Sequence, residues 1–376
     1  RHKMKLHFFG THNQPLPFDV CLTIFSFIPD DLSLVSTRWA AYYRDKKRTL
    51  PVLPTLYTIP DISIPPESLD ITQLSGGMTN GTFKVDVKHK KDESWVLRIA
   101  GKGTSTFIDR LHEQKNATAA SRLGLNVRVQ WFDHEGTQLT PFLHDSRPLS
   151  STLLDKKKYI TYVARLFKEL HDHPEAFHNT LTITGRIDAL LSIIQTKKPH
   201  LLSTQTTKIT AYLNNLIALL NHFVIELTAC HNDPTPTNFL VKHTDEDHHP
   251  QLFLIDWEYS SKGDFLWDLV YFCVLAELDE STTDDFLRTY FGELTDTIKA
   301  WFTVYKPLVT WWISLWSYAQ IANDSPSCDP DIYLQWAEQY LLLTLDFFES
   351  KSFQESKSII QRDKEKNIDQ MMPRSF

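Results

Sequence analysis

Two short segments hold residues whose types and spacing suit one chemistry. The first is His231-Asn232-Asp233-Pro234-Thr235-Pro236-Thr237-Asn238, and the second is Leu254-Ile255-Asp256-Trp257-Glu258. Phosphoryl transfer needs a carboxylate that accepts or orients the proton of the attacking hydroxyl, and at least two oxygen ligands that hold magnesium against the phosphates. Asp233 suits the first task, and Asn238 with Asp256 suits the second. A loop carrying an Asp and, five residues on, an Asn can point both into one cleft, and the hairpin that follows returns Asp256 beside them. Turn and cap duty is the competing reading, because Asn, Asp and Pro favour turns in any case. Three such residues set in this order beside two apolar strands favour the chemical reading.

These segments need elements to hold them. Phe239-Leu240-Val241 and Leu252-Phe253-Leu254-Ile255 read as two short strands joined by the polar loop His243 to Pro250. The acidic and histidine residues of that loop read as a solvated tip, not a metal cluster. Around the strands lie long amphipathic segments, Tyr159 to His171, Arg186 to Ile194, Ile209 to Leu227 and Phe265 to Leu278, so residues 147–350 are expected to be mostly helical. Residues 69–146 read differently. Strands are expected at Ile71 to Leu74, at Phe83 to Val87 and at Trp95 to Ile99. A helix follows over 106–123, with Phe107, Leu111 and Ala119 inward and Gly124 as its stop, and strand character returns at Val127 to Trp131 and Gln138 to Leu143. Before this sheet, residues 51–68 carry five prolines and predict an extended connector; residues 351–376 form a charged tail expected to be helical only at its start.

Several motifs in one order carry a family resemblance: Leu74-Ser75-Gly76-Gly77-Met78-Thr79-Asn80, Val96-Leu97-Arg98-Ile99, Arg110-Leu111-His112-Glu113, His231-Asn232-Asp233 with Asn238, and Ile255-Asp256-Trp257-Glu258-Tyr259-Ser260. From about Ile71 to Phe348 the chain resembles choline and ethanolamine kinases, especially bacterial ones of phosphocholine decoration, with aminoglycoside phosphotransferases as more distant relatives. The resemblance implies an α+β, two-lobed, protein-kinase-like fold, with a small antiparallel-sheet lobe and a larger helical lobe, and ATP and Mg2+ bound between them. It implies that Ser75, Gly76, Gly77, Met78, Thr79 and Asn80 lie over the ATP phosphates. Arg98 would stand where kinases place a lysine, held by Glu113. His231 would support the catalytic loop, Glu258 would lie near the metals or the substrate amine, and Asp268 would brace the loop.

The acceptor is less sharply marked. Choline carries a fixed charge without N–H donors, so a site recognises it through aromatic faces and nearby carboxylates. Trp312, Trp316, Tyr333, Trp336 and Tyr259 are the candidates, and the segment Thr310 to Ser317 resembles the choline-box helix of the family. Trp301, Tyr305, Trp312 and Trp316 also share one helical face, as an ordinary core stripe does. Where family members usually carry a Glu, seven residues after the Asp matched by Asp268, this chain has Leu275, and Glu277 is out of register. Another hydroxyl compound, such as an aminoglycoside, is the alternative acceptor.

The amino-terminal residues 14–50 hold Leu16, Val20, Ile24, Phe25, Ile28, Leu32 and Val35 at helical spacing. With Pro17 and Trp39 they resemble an F-box, a helical module that docks on a Skp-type ubiquitin ligase adaptor. A helical extension packed on the rest is the competing reading, and a kinase-like target-binding module coupled to such an adaptor is the non-enzymatic one. The whole chain has 376 residues, 42% of them hydrophobic, and a net charge of −7. That charge gives no basic field for nucleic acid. Cys21, Cys230, Cys273 and Cys328 are widely spaced and form no CxxC pair, which suggests a reducing compartment. No run has the length of a membrane span, and residues 1–6 lack the apolar core of a secretory signal, so a cytoplasmic location is expected.

Overall fold

The computed structural model describes residues 52–60, 62–74, 80–90, 93–101, 108–149, 153–173, 177–243, 250–325 and 328–366. The chain divides into two compact units, residues 1–58 and 59–376. In the first, the described part holds the helix α1 (Val52–Leu56), with Val52 and Leu56 buried. The expected extended connector thus contains a helical turn. Pro54 is tolerated there because it lies within the first turn, where the backbone N–H has no helical partner to lose. The F-box-like residues 14–50 lie outside the described residues.

The second unit begins with a five-stranded antiparallel sheet of β1 (Leu69–Gln73), β2 (Asn80–Val87), β3 (Ser94–Ala100), β4 (Trp131–Phe132) and β5 (Gln138–Pro141), ordered β1-β2-β3-β5-β4. Two-residue alternation buries Phe83, Val85 and Val87 of β2. Arg98 lies opposite Thr82 and Gln138 on the neighbouring strands, and it is buried.

The helix after β3, α2 (Arg110–Arg122), starts at Asp109, whose carboxylate accepts the N–H groups of Leu111 and His112. Its inner face is only partly the one expected: Ala119 is buried, Phe107 lies outside the described residues, and Leu111 points away. Leu111 is 56% exposed, whereas Arg110, Glu113, Asn116, Ala117 and Ala120 are buried. At 100° per residue these five share one side, and Leu111 falls off it. The inward face of this helix is therefore charged, and it turns two opposite charges toward the sheet.

The rest of the unit is mostly helical: α3 (Leu153–Asp172), α4 (Ile183–Lys197), α5 (Thr204–Leu220), α6 (Phe265–Leu275), α7 (Glu280–Phe291), α8 (Asp296–Ala322), α9 (Pro330–Glu349) and α10 (Lys351–Glu365). Every residue of α6 from Phe265 to Cys273 is buried, which makes it a central helix without a wet face. The apolar run from Pro307 to Ala322 lies in α8, and no helix among the described residues is long and apolar enough to cross a membrane. The expected helix over 209–227 stops at Leu220, because Leu227 to Cys230 form β7 and find a partner strand. The tail stays helical to Glu365, since Phe353, Ser356 and Ile360 recur at helical spacing and are buried.

Two small ladders interrupt the helices and position the site. One pairs β6 (Ser146–Pro148), β8 (Phe239–His243) and β9 (Pro250–Leu254) in the order β6-β8-β9; the other pairs β7 (Leu227–Cys230) with β10 (Ser261–Asp264). Cys230 faces Ser261, and Phe239 faces Leu254. The loop 231–238 and the loop 255–260 are thus stapled together at both ends.

Candidate active site

Each loop contains one non-glycine residue in the left-handed region, Asn232 at φ 70° and Asp256 at φ 67°. Asn and Asp tolerate this conformation better than other residues, and such backbone turns side chains out of the regular path. Asp268, fully buried on α6, holds the first loop from behind: its Oδ2 accepts the His231 N–H and its Oδ1 the Asn232 N–H, both at 2.7 Å. His171 Nε2 lies 3.2 Å from the same carboxylate and its Nδ1 2.9 Å from the Tyr290 hydroxyl. His231 spans the loops. Its Nε2 is 2.9 Å from the Ile255 carbonyl, and its Nδ1 accepts the Asp233 N–H at 3.3 Å. Those partners require the neutral Nε2–H tautomer, and burial lowers the pKa of this ring.

Asp233 is half-buried at the mouth of the loop. Burial raises its pKa well above the usual carboxylate range; the Tyr271 hydroxyl opposes that rise, and the charges of Asp256, Glu258 and Asp268 add to it. Asn238 Nδ2 donates to the Asp233 carbonyl at 3.0 Å, and the Ile255 N–H donates to the Asn238 carbonyl at 2.9 Å. Asn238 is thereby fixed between Asp233 and the segment that carries Asp256.

The sheet side contributes a buried ion network. Arg98 donates to Asp256 Oδ1 at 2.6 Å through one nitrogen and to Glu113 through the other. Arg110 donates to Glu113 Oε2 at 2.6 Å and to Glu258 Oε2 at 3.3 Å, and Asn80 Nδ2 donates to the same Glu258 oxygen at 2.8 Å. Burial, with the charge of Asp256, pushes the Glu258 carboxyl up to about 7, against the pull of Arg98. Gly136 makes room for this network. Its φ is +96°, and a Cβ there would lie 2.5 Å from Arg110 Cδ.

Glu113, Asp256 and Glu258 bring one oxygen each within 4.8 Å of one another, but Arg98, Arg110 and Asn80 hold the two glutamates, which leaves Asp256, with Asn238 tied to its segment through the Ile255 N–H, as the candidate ligand pair. The ligand atoms that Asp256 and Asn238 can offer are oxygens, and the nearby imidazole of His231 has both nitrogens engaged elsewhere. A hard, all-oxygen set of this kind fits a magnesium ion and not zinc.

Beyond the acids stands an aromatic wall. The Tyr259 ring meets Trp312 edge-on at 5.7 Å, and its hydroxyl accepts the Trp316 Nε1–H at 2.9 Å. Tyr271 stands 5.9 Å from Trp312, and the series continues from Trp316 to Tyr333 at 5.9 Å and on to Trp336 at 6.1 Å. The aromatic stripe of α8 divides accordingly. Trp301, Tyr305 and Trp312 are buried in the core, where Trp301 packs against Phe223, Tyr305 bonds to Asp264 and Trp312 also reaches Tyr259, whereas Trp316 is half-buried and bonds to Tyr259.

Thus the fold draws Asn80, Arg98, Glu113, His231, Asp233, Asn238, Asp256, Glu258, Tyr259, Trp312, Trp316, Tyr333, Trp336 and Asp268 into one connected region. Ser75, Gly76, Gly77, Met78 and Thr79 lie outside the described residues, as does the loop 244–249. Two participants escaped the sequence reading. Arg110 sits three residues before Glu113, a spacing that signals a helical ion pair, and Tyr271 follows Asp268 by three residues, which places its polar tip near that carboxylate's side of an otherwise apolar helix.

The choline/ethanolamine kinase family profile matches residues 71–285. Protein LicA of Haemophilus influenzae is 28% identical over 231 residues, which are 61% of this chain and 65% of that protein. Two solved structures share the fold. A choline/ethanolamine kinase family protein from Mesorhizobium loti gives a TM-score of 0.70 at 24% identity, over 84% of this chain and 99% of that one. Choline kinase LicA from Streptococcus pneumoniae gives 0.63 at 21% identity, over 82% and 99%.

Proposed function

Because this chain belongs to the choline/ethanolamine kinase family, we propose that it transfers the γ-phosphoryl group of ATP to the hydroxyl of choline or a related amino alcohol. The observation that carries this reading is Tyr271. Its hydroxyl acts on the Asp233 carboxyl and its ring stands edge-on to Trp312, so the acid and the aromatic wall belong to one surface.

In this mechanism Asp233 accepts the hydrogen bond, and finally the proton, of the attacking hydroxyl. Tyr271 stays protonated, because burial pushes its pKa well up, and its hydroxyl favours the charged form of the Asp233 carboxyl that must take the proton. Asn238 and Asp256 would hold magnesium, which when bound neutralises charge on the phosphate oxygens. Arg98 is the cation that reaches the phosphates, with Glu113 and Arg110 fixing its direction. Ser75 to Thr79 would supply backbone donors over the same phosphates. Tyr259, Trp316 and Trp336, which are only half-buried, would offer ring faces to the acceptor's ammonium group, roughly 0.5 to 2 kcal/mol for a well-placed face, and the buried Trp312 and Tyr333 would back them. With Leu275 where relatives carry a carboxylate, aromatic faces bear more of the recognition than charge does.

Acceptor-dependent ADP release from MgATP, measured with choline, ethanolamine and an aminoglycoside, tests the proposal. Choline should give the highest kcat/KM. Preference for the aminoglycoside removes the amino-alcohol assignment, and release with none of the three removes the kinase reading.

A further inference from the structure

Arg186, on the first turn of α4, is buried deep behind the two loops, with 4% of its surface exposed. Among the described residues its charge has no close acidic partner. Among the described residues its polar contacts are Asn232 Oδ1 at 2.8 Å and the Leu181 carbonyl at 3.4 Å; its Nε is unpartnered, and its guanidinium lies 4.2 Å from the centre of the Trp267 ring. Asp264 and Asp268 act on it from farther off, and burial pulls its pKa down to about 10, which still leaves it a cation at neutral pH. A buried guanidinium without a paired carboxylate is costly, so one that persists is expected to set something that an apolar side chain would not.

What it sets is the amide of Asn232. All the polar atoms of that residue are engaged: its N–H donates to Asp268 Oδ1, its carbonyl accepts the Trp267 Nε1–H at 3.2 Å, and its Nδ2 donates to the Tyr259 carbonyl and to Ser261 Oγ, both at 2.8 Å. The remaining atom, Oδ1, accepts from Arg186. A guanidinium has donors and no acceptor, so it tolerates the amide in one orientation. Turned over, Asn232 would set its NH2 against the guanidinium and its oxygen against the Tyr259 carbonyl. Gly263 leaves the space required, since a Cβ there would lie 3.3 Å from Arg186 Nη2 and 3.4 Å from Asn232 Oδ1.

We propose that Arg186 is a positioning residue for phosphoryl transfer: by fixing the Asn232 amide it keeps the segment carrying Asp256 in register with Asp233, while touching neither carboxylate. This rests on the reading of Asp233 and Asp256 as the acid and the metal ligand of the site.

Full-length Arg186→Met and Arg186→Lys test it through amide hydrogen exchange, thermal melting, and kcat and KM for MgATP. Methionine keeps apolar volume over Trp267 and removes the donor. It should speed exchange over 228–240 and 255–262, leave KM for MgATP unchanged, and lower kcat on the order of 100-fold, the scale of a small misplacement of reacting groups. Lysine keeps its donors on a single nitrogen and cannot lie flat on the ring while reaching both acceptors, so its kcat and exchange should fall between methionine and the parent. A methionine variant with parental exchange and kcat overturns the proposal, as does a lysine variant indistinguishable from either neighbour in that series. If the methionine variant does not fold, the lysine variant decides: faster local exchange with lowered kcat and unchanged KM supports the proposal, and parental values overturn it. Exchange needs no turnover, so an inactive parent would refute the kinase reading and leave this test standing.

Discussion

Asp233 and Asp256 differ in what should follow from their loss. Asp233→Asn removes the proposed proton acceptor without touching the phosphate cradle, so kcat should fall by about 10² to 10⁴ while KM for MgATP holds. Asp256→Ala deletes a proposed metal ligand, and titration of nucleotide binding against magnesium should show the weakened dependence. At the aromatic wall, Trp316→Leu keeps apolar volume but loses both the ring and the hydrogen bond to Tyr259. Loss of one ring face worth ~0.5 to 2 kcal/mol should raise the acceptor KM several-fold and leave that for ATP alone. A variant that stays folded and uses choline as well as the parent does would remove Trp316 from the acceptor site. Asp264 gives a pH signature instead. Burial raises its carboxyl to about 6, opposed by the Tyr305 hydroxyl, the Leu266 N–H and Arg186. The folded protein therefore holds this proton where the unfolded chain has released it, and the stability so gained is present below pH 4 and lost as pH rises through 6. Melting temperatures from pH 4 to 7 should show the parent losing ground against Asp264→Asn over this interval, and parallel curves would remove Asp264 as the source.

At the scale of elements, the site depends on close approaches that only folded neighbours reveal. The turn between β4 and β5 brings Gly136 against Arg110, so Gly136→Ala meets a left-handed backbone cost of about 1 to 2 kcal/mol and must also displace the guanidinium. A lower melting temperature together with a raised KM for MgATP is the expected pair of results; a lowered melting temperature alone would mean that Arg110 moves without consequence for the nucleotide. The two acidic loops were legible in the sequence because their residues sit close together in the chain, between apolar runs that read as β8 and β9. Arg110 was visible beside Glu113, but its contacts with Glu258 and Asn80 join distant parts of the chain. Leu111 reads as inward because an apolar residue early in a helix usually is; here the buried stripe is charged, and hydrophobic periodicity cannot register that. The strands β6, β7 and β10 are three or four residues long, too short for alternation to show, and they exist because partners come to them.

On the scale of the molecule, residues 59–376 form a compact unit that contains the sheet, helices α2 to α10 and both loops. A chain that begins at Ile59 should therefore keep acceptor-dependent turnover near the parental rate, measured beside its melting temperature. Collapse of either would make the preceding residues part of the enzyme and not a separate docking module. The double stapling of the loops also orders events in time. As the chain leaves the ribosome, Leu227 to Cys230 emerges before any partner exists, and Asp233 and Asn238 follow on a loop anchored at neither end. The hairpin β8–β9 closes the far end first, because its strands are near neighbours in sequence and the closure entropy is small. The near end waits for Ser261 to Asp264, and the brace behind His231 and Asn232 waits for Asp268. A nascent chain arrested before that point presents an unpaired strand and no assembled site, so the two loops come together only once Asp268 has been made.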